Sequence, residues 1–164
     1  MDGLSGKTAL VTGGARGIGA GIARRLAVEG VSVTLTYSAS AEKANELVAE
    51  IRANGDTAIA VAADAADPGA VTAAVGRTIT ELGRLDILVN NAGMGIAASI
   101  EDMALEDYDR CFAVNVRAVF VAMQAAARHM ESGGRIITIG SVNGDRTPFG
   151  AGSVTPRPRP PSPV

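Results

Sequence analysis

The stretch Thr12-Gly-Gly-Ala-Arg-Gly-Ile-Gly19 constrains the fold of this chain more than any other. It lies between a short β-branched run, Thr8 to Thr12, and an amphipathic stretch from about Gly17 to Glu29. Gly13 can turn the chain sharply away from a strand, Gly17 admits a ligand close to the backbone, and Gly19 lets a helix sit against a sheet. The first N–H groups of that helix lack intrahelical partners and stand at the positive end of its dipole. This arrangement suits a pyrophosphate, so Gly13, Arg16, Gly17, Ile18 and Gly19 are candidate cofactor-binding residues. The spacing is Gly-x-x-x-Gly-x-Gly rather than Gly-x-Gly-x-x-Gly, but the mechanics are the same. A glycine-rich surface turn is the plain alternative. The strand pattern before it and the helix pattern after it weigh against that alternative.

The same alternation continues along the chain. Val31 to Thr36, Thr57 to Ala62, Asp86 to Val89 and Arg135 to Ile139 read as strands. Helical patterns cover about Ala41 to Ala53, Pro68 to Leu82 and Leu105 to Met130, with Asp67 and Pro68 forming a helix start. Repeated strand–helix units predict right-handed crossovers and a parallel sheet. The expected class is therefore α/β: a doubly wound, Rossmann-type sheet of about five strands. Residues 1–150 form the expected dinucleotide-binding domain. Residues 151–164 hold five of the seven prolines and are expected to be a disordered tail.

Composition narrows the functions. With 47% hydrophobic and 20% charged residues, a chain of 164 residues is expected to be a globular domain with a real core. A net charge of -2 gives no sign of a nucleic-acid or anionic-membrane partner. No apolar run is expected to span a bilayer, and the first residues lack the build of a signal peptide, so a cytoplasmic location is expected. Cys111 is the only cysteine and His129 the only histidine. An internal disulfide, a cysteine metal cluster and an HExxH zinc site are thereby excluded, and no metal site is expected. Cys111 reads as a small buried hydrophobe and His129 as a cation near a helix end.

A dinucleotide site often carries a carboxylate at the end of its second strand to bind the ribose 2′-hydroxyl. Here that strand runs into Thr36-Tyr-Ser-Ala-Ser40, with no carboxylate before Glu42. Arg16 supplies a cation in the turn itself, and Ser38 is a further candidate cofactor-binding residue. The reading is NADP(H) in preference to NAD(H), with NAD(H) possible.

These features, taken with three further landmarks, resemble the short-chain dehydrogenase/reductase family, in particular its three-oxoacyl carrier-protein reductase-like members. The landmarks are Asp64 after the third strand, Asn90-Asn-Ala-Gly93 after the fourth, and Asn115 in the long helix with Ser141 after the fifth. The match covers about Leu4 to Arg146. The resemblance implies that Asp64 contacts adenine and that Asn91, Ala92 and Gly93 line the adenosine side of the cofactor. It also implies two catalytic residues: Ser141, hydrogen-bonding a substrate carbonyl, and Asn115, holding a water of a proton relay. From the residues alone, the asparagine pair is a good turn former, Ser141 a turn residue and Asn115 a poor helix former. The family further implies a small-molecule carbonyl or alcohol substrate and a homo-oligomer.

The resemblance breaks at one place. The family uses a tyrosine as general acid and a lysine four residues later. This chain has tyrosine at Tyr37 and Tyr108 and lysine at Lys7 and Lys43, all before Ser141. Where the pair belongs stands Thr155-Pro-Arg-Pro-Arg-Pro-Pro-Ser-Pro-Val164. Re-reading these codons one nucleotide earlier, with free third bases, allows a Tyr-Ala-Ala-Ser-Lys sequence. The expectation is a reading frame that slips between about Asp145 and Val154 and truncates the family's fold, its later strands and helices being missing. An apolar face with Val116, Val119 and Phe120 would lose cover, and the chain would be unstable or aggregate. Three functions follow: an NADP(H)-dependent oxidoreductase with impaired turnover, a binding fragment without turnover, or an interaction tail. The last rests on Pro158-Arg-Pro-Pro161 and Pro160-Pro-Ser-Pro163, which fit the form read by SH3-like domains. A methyltransferase is disfavoured by the glycine turn together with Asn-Asn-Ala-Gly.

Overall fold

Strands and helices alternate through residues 3–141, the part of the chain that the computed structural model describes. The boundary near residue 150, the proline-rich tail and the proposed frame slip lie outside these residues. The strands are β1 (Thr8–Val11), β2 (Ser32–Tyr37), β3 (Ala58–Ala62), β4 (Ile87–Asn90) and β5 (Arg135–Thr138). All pair in parallel, in the order β3-β2-β1-β4-β5. The order reverses between β1 and β4, which opens a crevice at their carboxyl ends. The expected α/β, doubly wound Rossmann-type sheet with five strands is the observed one.

Side-chain alternation sorts the core into two layers. Ala9, Val11, Val33 and Leu35 face α1 (Gly17–Val28) and α2 (Ala41–Ala53). Leu10 and Leu88 face the other way, toward α3 (Pro68–Leu82) and α5 (Ala118–Ala127). Both strand faces are therefore apolar, as a parallel sheet covered on two sides requires. The start of α3 follows the sequence: the Asp67 carboxylate accepts from the Gly69 N–H at 2.8 Å, and Pro68 is the first helical residue.

The long helix departs from its expected form. It comprises α4 (Leu105–Phe112), a π-turn (Ala113–Arg117) and α5, and it ends at Ala127 rather than Met130. The rod has 23 residues and its most apolar 18-residue stretch has a mean hydropathy of 1.2, so it is long and apolar enough to cross a membrane by those two measures, contrary to expectation. Here Ala118, Ala122, Ala125 and Ala126 bury that apolar character against α3 and the sheet. Val116 and Phe120 are exposed, at 40% and 58%. The β5 residues Ile136 and Ile137 are exposed as well, at 42% and 48%.

The floor of the sheet is clamped at its opposite end. Asp86 is buried and accepts the Thr8 N–H at 2.9 Å. Arg84 grips the same carboxylate with two bonds, at 2.8 and 2.6 Å. Burial pushes this carboxyl up, but the Arg84 and Thr8 hydrogen bonds and the charges of Arg84 and Lys7 outweigh it. The net shift is downward.

Candidate functional site

The glycine turn owes its shape to three close approaches. Gly13 has φ +63° and faces Ala92, whose Cα would lie 3.0 Å from a Cβ at this position. At Gly14 a Cβ would fall 2.7 Å from that of Leu35, and at Gly19 one would fall 2.5 Å from Asn91 Nδ2. Gly17 is different: its φ is +55°, but open space surrounds it. Gly17 is thus required by backbone conformation and leaves room for a ligand, whereas Gly14 and Gly19 are required by packing.

Two threonines stitch the turn to its neighbours. Thr12 Oγ1 accepts from the N–H groups of both Asn91 and Ala92, each at 3.0 Å, and donates to the Val89 carbonyl at 3.3 Å. Thr36 Oγ1 accepts from the Gly13 N–H at 3.0 Å. Asn91 completes the seam by donating to the Thr12 and Gly13 carbonyls at 2.9 and 3.1 Å. Motif spacing points to the glycines and leaves both threonines without a role. A threonine at the end of a strand that enters a glycine turn is the signal that was available.

An open groove of about 430 Å³ runs along the carboxyl ends of β1 to β4. Gly13, Arg16, Gly17, Ile18, Gly19, Ser38, Asp64, Asn91, Ala92 and Gly93 all line it, so every candidate cofactor residue meets in one place. Tyr37, Met94, Arg110 and Val114 line it too. Helix α1 opens into the groove with Arg16 in extended conformation, no side-chain cap and no carboxylate in its first turn. Such an end suits an anion, because its N–H groups have no competing acceptor. Arg16 and Ile18 are exposed there. At the other wall Asp64 accepts from the Ala66 N–H at 2.9 Å and pairs with Arg110 at 3.2 Å. The Ala66 amide first, and then Arg110, hold the Asp64 carboxyl below its ordinary range against the opposing effect of burial.

The two candidate catalytic residues stand apart from the groove lining. Ser141 lies past β5 and is exposed. Asn115 lies in the π-turn and bridges to the loop after β4. Its Oδ1 accepts from the Met94 N–H at 2.9 Å, and its Nδ2 donates to the Met94 carbonyl at 2.8 Å. The same Nδ2 lies 3.2 Å from the sulfur of Cys111, which is fully buried as expected. Burial pushes that thiol up, so it is a poor thiolate source. Tyr108 stacks on Phe112 with ring centroids 4.5 Å apart.

Comparison with known proteins agrees with this geometry. The family model for short chain dehydrogenase matches residues 7–154. Versicolorin reductase 1 of Aspergillus parasiticus is 45% identical over 84% of this chain and 53% of its own length. The cyclic-di-GMP-binding biofilm dispersal mediator protein of Escherichia coli is 45% identical over 90% of this chain and 59% of its own. Among solved structures, a short chain dehydrogenase from Burkholderia cenocepacia in complex with NADP is 57% identical, with a TM-score of 0.88 over 91% of this chain and 60% of that one. A blue fluorescent protein from a metagenomic library, in complex with NADPH, is 48% identical, with a TM-score of 0.88 over 91% and 61%. The chain thus spans between about half and three fifths of the length of these relatives.

Proposed function

The chain is a member of the short-chain dehydrogenase/reductase family, and on that premise we propose that it binds NADP(H) in the groove as the cofactor half of a carbonyl reductase or alcohol dehydrogenase. The single observation that carries this reading is the convergence of Arg16, Ser38 and the uncapped start of α1 on one groove. The α1 N–H groups would receive the pyrophosphate, and Arg16 with Ser38 the 2′-phosphate. A carboxylate beside Ser38 would repel that phosphate, and the sequence places none before Glu42. Asp64 would accept from adenine, and Asn91, Ala92 and Gly93 would line the adenosine side. The bound nicotinamide would supply the hydride, and the protein's part is to orient the reacting groups.

For catalysis, Ser141 would hydrogen-bond a substrate carbonyl. Met94 engages both ends of the Asn115 side-chain amide, so this residue would serve the site in part by fixing the loop after Gly93. A water of a proton relay would meet the second lone pair of Asn115 Oδ1.

A second reading follows from the tyrosines and lysines. Tyr37 lines the groove and Tyr108, on α4, packs its ring against Phe112, and neither is followed by a lysine at the fourth residue. This 164-residue chain would therefore bind cofactor without efficient turnover. Fluorescence titration with NADPH and NADH tests the first reading, which expects tighter NADPH binding; tighter NADH binding would overturn the preference. NADPH oxidation with a panel of ketones and acyl thioesters tests the second. Turnover at rates ordinary for enzymes would refute it.

A further inference from the structure

The wall of the groove at Asp64 is built by two elements far apart in sequence. The loop from Ala63 to Asp67 follows β3, and the rod of α4, the π-turn and α5 packs beside it. Two arginines on the rod reach the same short loop. Arg110 pairs with Asp64 Oδ2 at 3.2 Å, and Arg117 donates to the Ala66 carbonyl at 3.2 Å. Asp64 Oδ1 is occupied by the Ala66 N–H. The carboxylate is therefore held from two sides, by its own loop and by the rod.

We propose that Arg110 is a positioning residue for adenine recognition, holding Asp64 at the groove wall in the orientation that meets the base. This rests on the NADP(H) reading above. An ionised carboxylate has about four acceptor positions, and the two bonds observed leave capacity for an exocyclic amine. Without Arg110, Oδ2 would be free to rotate about the Ala66 contact, and the base would have to order it on binding. Arg110 also sets a positive charge beside Asp64, which reduces the repulsion between this carboxylate and a polyanionic ligand.

Both partners are about half exposed, at 54% and 44%, so the coupling is modest. The experiment measures dissociation constants of NADPH, of ADP-ribose and of reduced nicotinamide mononucleotide for the 164-residue chain and four variants: Arg110→Gln, Arg110→Lys, Asp64→Asn and the Asp64→Asn, Arg110→Gln double. Arg110→Gln weakens NADPH and ADP-ribose by about three- to five-fold and leaves the mononucleotide, which has no adenine, unchanged. Arg110→Lys restores part of the loss. In an Asp64→Asn background, Arg110→Gln adds less than about two-fold. Equal weakening of all three ligands would overturn the proposal, since it would mark a general structural role. Full additivity with Asp64→Asn would overturn it as well. If the unmodified chain binds neither adenine ligand, the NADP(H) reading itself fails, and that outcome is distinct from the other two.

Discussion

Alanine at Gly19 and alanine at Gly21 are the same chemical change, in one helix, two residues apart. They should have opposite effects. A methyl group at Gly19 would meet Asn91 Nδ2 at 2.5 Å, the Gly13 carbonyl at 2.6 Å and Gly14 Cα at 3.0 Å. Two of these are backbone atoms of the turn and cannot swing aside. Relief comes only by tilting α1 away or by expelling the Asn91 amide. Expulsion breaks bonds to the Thr12 and Gly13 carbonyls, each worth about 1 kcal/mol. Overpacking alone costs about 1–3 kcal/mol. The gain in helix propensity offsets at most about 1 kcal/mol. The net loss is about 2 kcal/mol, or about 4–8 °C in Tm for a domain of this size. At Gly21 a Cβ meets nothing within 4 Å, so only the propensity gain remains, about 0.5–1 kcal/mol of stabilisation. Urea unfolding of the two variants, with NADPH titration alongside, reads both effects. Gly19→Ala should also weaken NADPH, because the displaced groups line the groove. The reasoning fails if both variants shift the unfolding midpoint in the same direction, or if Gly19→Ala leaves it unmoved.

Asp86→Asn keeps an acceptor for the Thr8 N–H but removes the charge that Arg84 grips, so it should cost about 1–2 kcal/mol at pH 7. The folded-state carboxyl titrates below its unfolded value of about 3.9. Its stabilisation is therefore present above that pH and lost as pH falls toward the folded value. Urea midpoints of the two proteins should converge between pH 5 and about pH 3, and a gap that stays constant would rule out this origin. Arg16→Gln should weaken NADPH about ten-fold, equivalent to about 1.4 kcal/mol for a charge-assisted bond to the 2′-phosphate. The same change should leave NADH binding within two-fold, and parallel losses for both cofactors would contradict the assignment. Asn115→Asp places an oxygen against the Met94 carbonyl where Nδ2 donated, and should cost about 2–3 kcal/mol by thermal melting. A smaller loss for Asn115→Asp than for Asn115→Ala would refute the two-point bridge.

Local rules made some of the architecture legible in the sequence. The glycines of the turn, the β-branched runs and the Asp67-Pro68 helix start each act over a few residues, so strands and helices could be placed within a few positions. Non-local features were not legible. The π-turn at Ala113–Arg117 has no compositional mark, and Asn115 there joins Met94, 21 residues away. Thr12 meets Asn91 across 79 residues, and Arg110 meets Asp64 across 46. Partners at such separations are set by the sheet order, which brings β4 beside β1. No glycine or proline separates α4 from α5, so a reading by periodicity joins them into one helix. It could not register the local change in hydrogen bonding between them.

The position of Asn115 explains why a carboxamide, rather than a hydroxyl or a carboxylate, suits the π-turn. Met94 offers one N–H and one C=O, the same pair that an adjacent strand would engage. The Asn115 amide presents a donor and an acceptor in one plane and answers both, at 2.8 and 2.9 Å. Asn91 performs a related task from the turn side, where its Nδ2 closes on two carbonyls. The four residues from Asn91 to Met94 are thereby fixed at each end by a side-chain amide, and at their start also by Thr12. A loop held in this way needs no strand or helix of its own to stay ordered, and its middle, half-buried Ala92 and exposed Gly93, faces the groove. The π-turn carries Asn115 opposite Met94, and the same rod carries Arg110 opposite Asp64. One helix therefore sets two walls of the groove, and a change in its hydrogen bonding at Ala113–Arg117 would be felt at both.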